Sequence, residues 1–125
     1  MASLNRIQLI GRLGKDPETH FTPKGSKVTQ FSIAVDRRWR SPEGETKKET
    51  DWFTVEAWGR LGEVCQQYLG KGRLVYIEGR LHTDRWEQGG ETHYSTRVVA
   101  RNMQILERKP EEEIEEIEDE DVIVE

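Results

Sequence analysis

An all-β fold interrupted by one short helix is the class this sequence predicts, and three observations point to it. Runs rich in Val, Ile, Leu and aromatic residues recur along the first 106 residues, bounded mostly by turn-forming clusters of Gly, Pro, Asp or Ser. Within several of these runs apolar and polar residues alternate, the period of a half-buried strand. A single stretch, Leu61 to Leu69, carries the helical period instead.

The elements follow in order. Leu4 to Leu13 reads as a first strand, closed by Gly14-Lys15-Asp16-Pro17. Val28 to about Arg38 is a second, with Phe31, Ile33 and Val35 alternating against Ser32, Ala34 and Asp36. Arg40 to Glu45 is a polar loop, and Asp51 to Trp58 a third strand. Leu61, Val64, Cys65, Tyr68 and Leu69 fall at i, i+3, i+4, i+7 and i+8, one stripe of an amphipathic helix. Gly70-Lys71-Gly72 is expected to end it, since glycine tolerates the left-handed conformation that closes helices. Arg73 to Trp86 and about Thr92 to Leu106 complete the set as a hairpin around Gln88-Gly89-Gly90. Three strands, one helix and two strands is the order of the five-stranded OB-fold barrel, whose helix lies between its third and fourth strands. A ferredoxin-like sheet would require a second helix.

With 125 residues the chain suits one domain, and 34% apolar with 34% charged residues leaves a modest core under a heavily charged surface. The net charge of −5 hides an asymmetry. Nineteen basic and fourteen acidic side chains up to Lys109 leave +5; ten acids without a base follow from Pro110 to Glu125. The expected organisation is therefore a β-barrel body over 1–107 and an acidic tail over 108–125. The tail is expected to be disordered, because like charges at helical spacing repel and little apolar surface is available to offset ordering. The longest apolar run, Leu74 to Ile77, is far too short to span a membrane, and no secretory apolar segment follows Met1. A single cysteine, Cys65, allows no intrachain disulfide, so a reducing cytoplasm is the expected setting.

The third strand carries the sharpest functional signal. Trp52, Thr54, Glu56 and Trp58 share one parity while Phe53, Val55 and Ala57 share the other, so both indoles project on a polar face. The fourth strand repeats the pattern, with Trp86 on the parity of Glu78, Arg80 and His82. Trp39 has the parity of Phe31 and Val35 and reaches the same face only if its strand bulges or has ended. Basic side chains surround these rings: Arg37, Arg38, Arg40, Lys47, Lys48, Arg60, Arg80 and Arg85. Exposed aromatics among cations are what a sequence-tolerant binder of single-stranded nucleic acid requires, the rings stacking on bases and the cations following phosphates. The pattern alone equally allows the rings to cover a subunit interface.

Asn5-Arg6-Ile7-Gln8-Leu9-Ile10-Gly11-Arg12-Leu13-Gly14-Lys15-Asp16-Pro17-Glu18 resembles the opening of bacterial single-stranded DNA-binding proteins. Thr50-Asp51-Trp52, Trp58 to Glu63, Tyr68 to Gly72 and Val75 to Leu81 resemble later stretches of the same family, in order over about 1–107. The resemblance implies an OB fold assembled as a homotetramer that binds single-stranded DNA in replication, recombination and repair. It implies base stacking by Trp39, Trp52, Trp58 and Trp86, with Trp58 where the family usually has Phe, and backbone contacts from Arg60 and Arg85. Asp84 stands at an often basic position and inherits no such role. The tail departs from the family, whose long linker ends in a run of Asp closed by Ile-Pro-Phe. Here the linker is nearly absent, and Asp119-Glu120-Asp121-Val122-Ile123-Val124 keeps acids before aliphatics but lacks Pro-Phe. Docking of replication and repair proteins and simple solubilisation both remain open for it.

Other chemistry finds little support. His20, His82 and His93 show no metal-ligand spacing, Cys65 sits on the apolar stripe of the helix, and no nucleophile–base set is visible, so neither catalysis nor a cofactor is expected. Competing readings are a dimeric OB relative serving primosome assembly or DNA uptake, a protein-interaction module, and an RNA-binding OB domain.

Overall fold

The computed structural model describes residues 2–107. Six strands and one helix run in the order β1 (Ile7–Leu13), β2 (Glu18–Phe21), β3 (Lys27–Arg40), β4 (Thr46–Trp58), α1 (Gly59–Tyr68), β5 (Leu74–Gln88) and β6 (Glu91–Ile105). Five of the strands close into a barrel in the order β1-β5-β6-β4-β3, and β3 returns to β1 through Arg12 opposite Ala34 and Leu13 opposite Ile33. Closure needs a close backbone approach: a Cβ on Gly11 would lie 2.3 Å from the Ala34 carbonyl oxygen. All pairings are antiparallel except β4 with β6, where Val55 faces Val98 and Glu56 faces Val99 in parallel.

Alternation decides what fills the barrel. Phe31, Ile33, Val55, Ala57, Val75, Ile77 and Val98 point inward and are buried, with Leu13, Cys65, Leu69 and Ile105 completing the cluster. Helix α1 packs against β3 and β4, burying Cys65. Burial pushes the Cys65 thiol up to about 12, so it stays protonated as a small packed apolar group. Among the described residues no helix is long and apolar enough to cross a membrane, and no group of three or more His, Cys, Asp and Glu could hold a metal ion.

Several boundaries differ from the sequence reading. The first strand begins at Ile7, not Leu4, because the Asn5 side-chain amide makes both bonds to the Leu81 backbone, 2.8 Å and 2.9 Å, in place of a ladder pair. The short β2 was not foreseen: Phe21 is its one apolar residue, and it hangs on the outside of β3, tied by Thr19 Oγ1 to Thr29 Oγ1 at 3.0 Å. The long hairpin also runs further, with β3 reaching Arg40 and β4 starting at Thr46, so only 41–45 form the loop. Helix α1 ends at Tyr68 with Leu69 already extended, and the positive φ comes later, 87° at Gly72. The helix therefore ends just before Gly70-Lys71-Gly72, and of these glycines only Gly72 takes the left-handed conformation.

Candidate nucleic-acid interface

The strand register sorts the aromatic and basic side chains onto faces, because residues directly opposite in a ladder project on the same side. Across β3 and β4 the outward pairs are Val28 with Trp58, Gln30 with Glu56, Ser32 with Thr54 and Ala34 with Trp52. The row continues over the barrel through Glu56 opposite Val99 and Val99 opposite Arg80. Further along β5 and β6 on that side come His82 with Arg97, Asp84 with Ser95, and Trp86 with His93. Trp52, Trp58 and Trp86 thus share one continuous outer face, at 61%, 40% and 44% exposure.

Each ring is held differently. Trp52 leans its six-membered ring on Gly14, where a Cβ would lie 2.6 Å from Cζ3. Trp58 is the residue immediately before α1, where the chain turns from strand into helix. Trp86 stacks on His93 across the hairpin, with centroids 5.6 Å apart and planes 23° off parallel.

Not every expected ring and cation joins this face. The β3–β4 register runs without a break from Val28 to Arg40, so the bulge that would bring Trp39 round is absent. Trp39 is exposed on the opposite side of the ribbon, with the Arg37 guanidinium 5.2 Å over its ring. Lys47 lies opposite Trp39 and shares its side. Arg85 likewise falls on the side of the β5–β6 hairpin away from Trp86, opposite the exposed Tyr94. Arg38 and Lys48 face one another on the side of Trp52, with Arg40 one pair beyond. Arg80 lies in the central row, and Arg60 in the first turn of α1 beside Trp58. The tail residues Asp119 to Val124 lie outside the described residues.

Many of these cations already have carboxylate partners. Arg37 pairs with Glu49 and, at 3.3 Å, with Asp51; Lys48 lies 3.6 Å from Asp36 and Lys47 3.5 Å from Glu45. The most enclosed arrangement involves Arg97, which the sequence reading missed. Its Nε lies 2.8 Å from Glu56 Oε2, off the N–H axis, so that contact is an ion pair more than an aligned hydrogen bond. Its Nη1 lies 2.5 Å from Asp84 Oδ2, and His82 Nε2 meets Asp84 Oδ1 at 3.0 Å. Hydrogen bonds from Arg97 and then His82 hold the Asp84 carboxyl below its ordinary value. Burial alone would lower the Arg97 pKa, but the bond to Asp84 and the charge of Glu56 outweigh it and raise it. No aromatic or periodic cue marked Arg97. Only the β5–β6 register, with Arg97 opposite His82, could have found it.

Known proteins share this arrangement of strands. The model of the single-strand binding protein family matches residues 4–106. Among curated proteins, single-stranded DNA-binding protein 1 of Chlorobaculum tepidum is 43% identical over 108 residues, covering 85% of this chain and 67% of that protein. A single-stranded DNA-binding protein of Thermotoga maritima is 45% identical over 121 residues, covering 96% and 86%. Among solved structures, a Plasmodium falciparum SSB complex with ssDNA superposes with a TM-score of 0.78 at 33% identity, covering 86% of this chain and 98% of that one. A deletion mutant of the Thermus aquaticus single-stranded DNA binding protein gives 0.74 at 31% identity, covering 83% of this chain and 51% of that one. With a family match across nearly the whole barrel, the identities over most of the chain and the same fold, the chain belongs to the single-strand binding protein family.

Proposed function

We propose that this chain binds single-stranded DNA with little regard to sequence and protects it during replication, recombination and repair. The observation that carries the reading is that Trp52, Trp58 and Trp86, on two different strands, emerge on one polar outer face. Each ring offers a base a stacking surface worth about 1–3 kcal/mol, and every base has a π-face to use. In this reading Arg38, Arg40, Lys48, Arg60 and Arg80, on or beside that face, meet the backbone of the strand. Trp39, Arg37, Lys47 and Arg85 serve the same strand only if it passes round the edge of a hairpin, so their contacts are secondary. Oligothymidylate should quench the intrinsic fluorescence, and duplex DNA should compete poorly. Equal competition by duplex DNA would overturn the reading.

The same reading includes a homotetramer. Strand β1 pairs with β3 only at Arg12 and Leu13 and packs on it at Gly11, which leaves the edge from Ile7 to Ile10 unpaired on that side, and an open strand edge favours pairing with another chain. Across the outer face of β1, β5 and β6, a groove of about 480 Å³ is lined by Ile10, Tyr76, Glu78, Asn102, Gln104 and Leu106. A second copy of this chain is the occupant we assign to this surface, and light scattering at micromolar concentration should give four times the chain mass. For the tail we retain docking of replication and repair proteins through Asp119 to Val124, tested by pull-down with full-length and 1–109 protein.

A further inference from the structure

We infer that the groove between Trp52 and Trp58 is a base-selective subsite, preferring an amino-bearing base such as cytosine over thymine. The inference rests on the binding face proposed above. The two rings stand six residue steps apart along β4, about 20 Å at roughly 3.3 Å per residue. That interval is several times the ~3.4 Å stacked rise of a nucleotide, so intervening bases cross it without stacking on either indole.

What they cross is a concave site, not a flat sheet. A groove of about 240 Å³ is lined by Lys15, Asp16, Glu18, Gln30, Ser32 and Thr54, together with Phe31. The register explains the convergence. Glu18 lies opposite Gln30, Ser32 lies opposite Thr54, and Trp52 is the next outward residue along β4. Asp16 is held in turn, its Oδ1 accepting the Lys71 backbone N–H at 2.9 Å.

The chemistry of this lining favours one kind of base edge. Ionised carboxylates only accept hydrogen bonds, while the amide and hydroxyls serve either way. Two carboxylates at the rim turn away phosphates and the paired carbonyls of thymine, and they accept from an exocyclic amino group such as cytosine N4. Lys15 supplies the cation that keeps the backbone alongside. The outcome is a modest hydrogen-bonded bias at one subsite of an otherwise sequence-tolerant track.

The test compares oligodeoxycytidylate and oligothymidylate of equal length on the full chain. Removing the Glu18 charge should favour all phosphates alike, so the informative quantity is the ratio of the two affinities. In Glu18→Ala the preference for cytidylate relative to thymidylate should drop roughly three- to ten-fold, the scale of the net contribution of one ordinary hydrogen bond in a solvent-open groove. Unaltered protein should discriminate similarly against an oligonucleotide of N4-dimethylcytosine, which keeps the ring and lacks the donor. A ratio unchanged in Glu18→Ala, or equal binding of the dimethylated oligomer, overturns the inference. Failure of every oligonucleotide to bind would instead overturn the proposed function.

Discussion

Gly14→Ala should weaken binding of single-stranded DNA by shifting the Trp52 ring, with no tryptophan removed. The new methyl would lie 2.6 Å from Trp52 Cζ3 and 3.0 Å from Cη2, about 1 Å inside ordinary carbon contact. The Gly14 backbone is not in the left-handed region and its N–H bond to the Ser32 carbonyl, 3.1 Å, survives, so the ring has to move. A side chain forced about 30° from its rotamer costs of order 0.5–1.5 kcal/mol. Charged against binding, that range is about a two- to twelve-fold rise in Kd. Stability should change little, because replacing glycine at a compatible position restricts the unfolded chain by about 0.4–1 kcal/mol in the protein's favour. The assay pairs a fluorescence titration with oligothymidylate against a thermal melt. An unchanged Kd in a well-folded variant would show that the resting position of Trp52 is irrelevant to stacking.

Three further outcomes are expected. Trp52→Ala should cost about 1–3 kcal/mol of affinity, whereas Trp39→Ala, on the far side of the ribbon, should cost less than half as much in the same titration. Glu56→Gln should loosen Arg97 and tighten binding several-fold while lowering unfolding free energy by about 1 kcal/mol, read by titration and urea melts; weaker binding would mean that Glu56 orients Arg97 for the DNA. The Tyr76 hydroxyl bond, followed by the charges of Arg6 and Arg101, holds the Glu78 carboxyl below its ordinary value. A lowered carboxyl gives stability present above its unfolded value and lost as pH falls through its folded one. The melting temperature should therefore hold to about pH 5 and fall in more acid solution, less steeply in Glu78→Gln.

The sequence revealed those features in which one face is apolar and the other is not. Phe53, Val55 and Ala57 against Trp52, Thr54, Glu56 and Trp58 set both the core and the outer face before any register was known, because alternation is a property of one strand. The short helix was equally legible from its stripe. By contrast, Thr46 to Thr50 carries polar residues on both faces, since that part of the hairpin projects past the core and is held by its ladder and ion pairs. Periodicity has nothing to report there. The same reason hides β2. Lys15 and Arg97 escaped for a different cause: each meets residues distant in sequence, Gln30, Ser32 and Thr54 in the lining of one groove for one, Glu56 and Asp84 on other strands for the other. Trp39 shows the converse, since parity correctly warned that it needed a bulge, and the ladder contains none.

The pairing of so many interface cations with carboxylates of the same chain bears on how ionic strength would report on binding. A lysine or arginine free in solution that meets a phosphate displaces condensed counterions from the nucleic acid, and each such contact adds about 0.9 to the slope of log K against log salt for duplex DNA, about 0.7 for single strands. Lys48 and Arg97 on the face must first leave Asp36, or Glu56 and Asp84, and Arg37 and Lys47 on the far side of the hairpin must leave Glu49 and Asp51, or Glu45. The carboxylate left behind then gathers cations from solution, so part of what the phosphate releases is taken up again. The measured slope would undercount the basic contacts, and binding would persist to higher salt than the number of lysines and arginines on the face suggests.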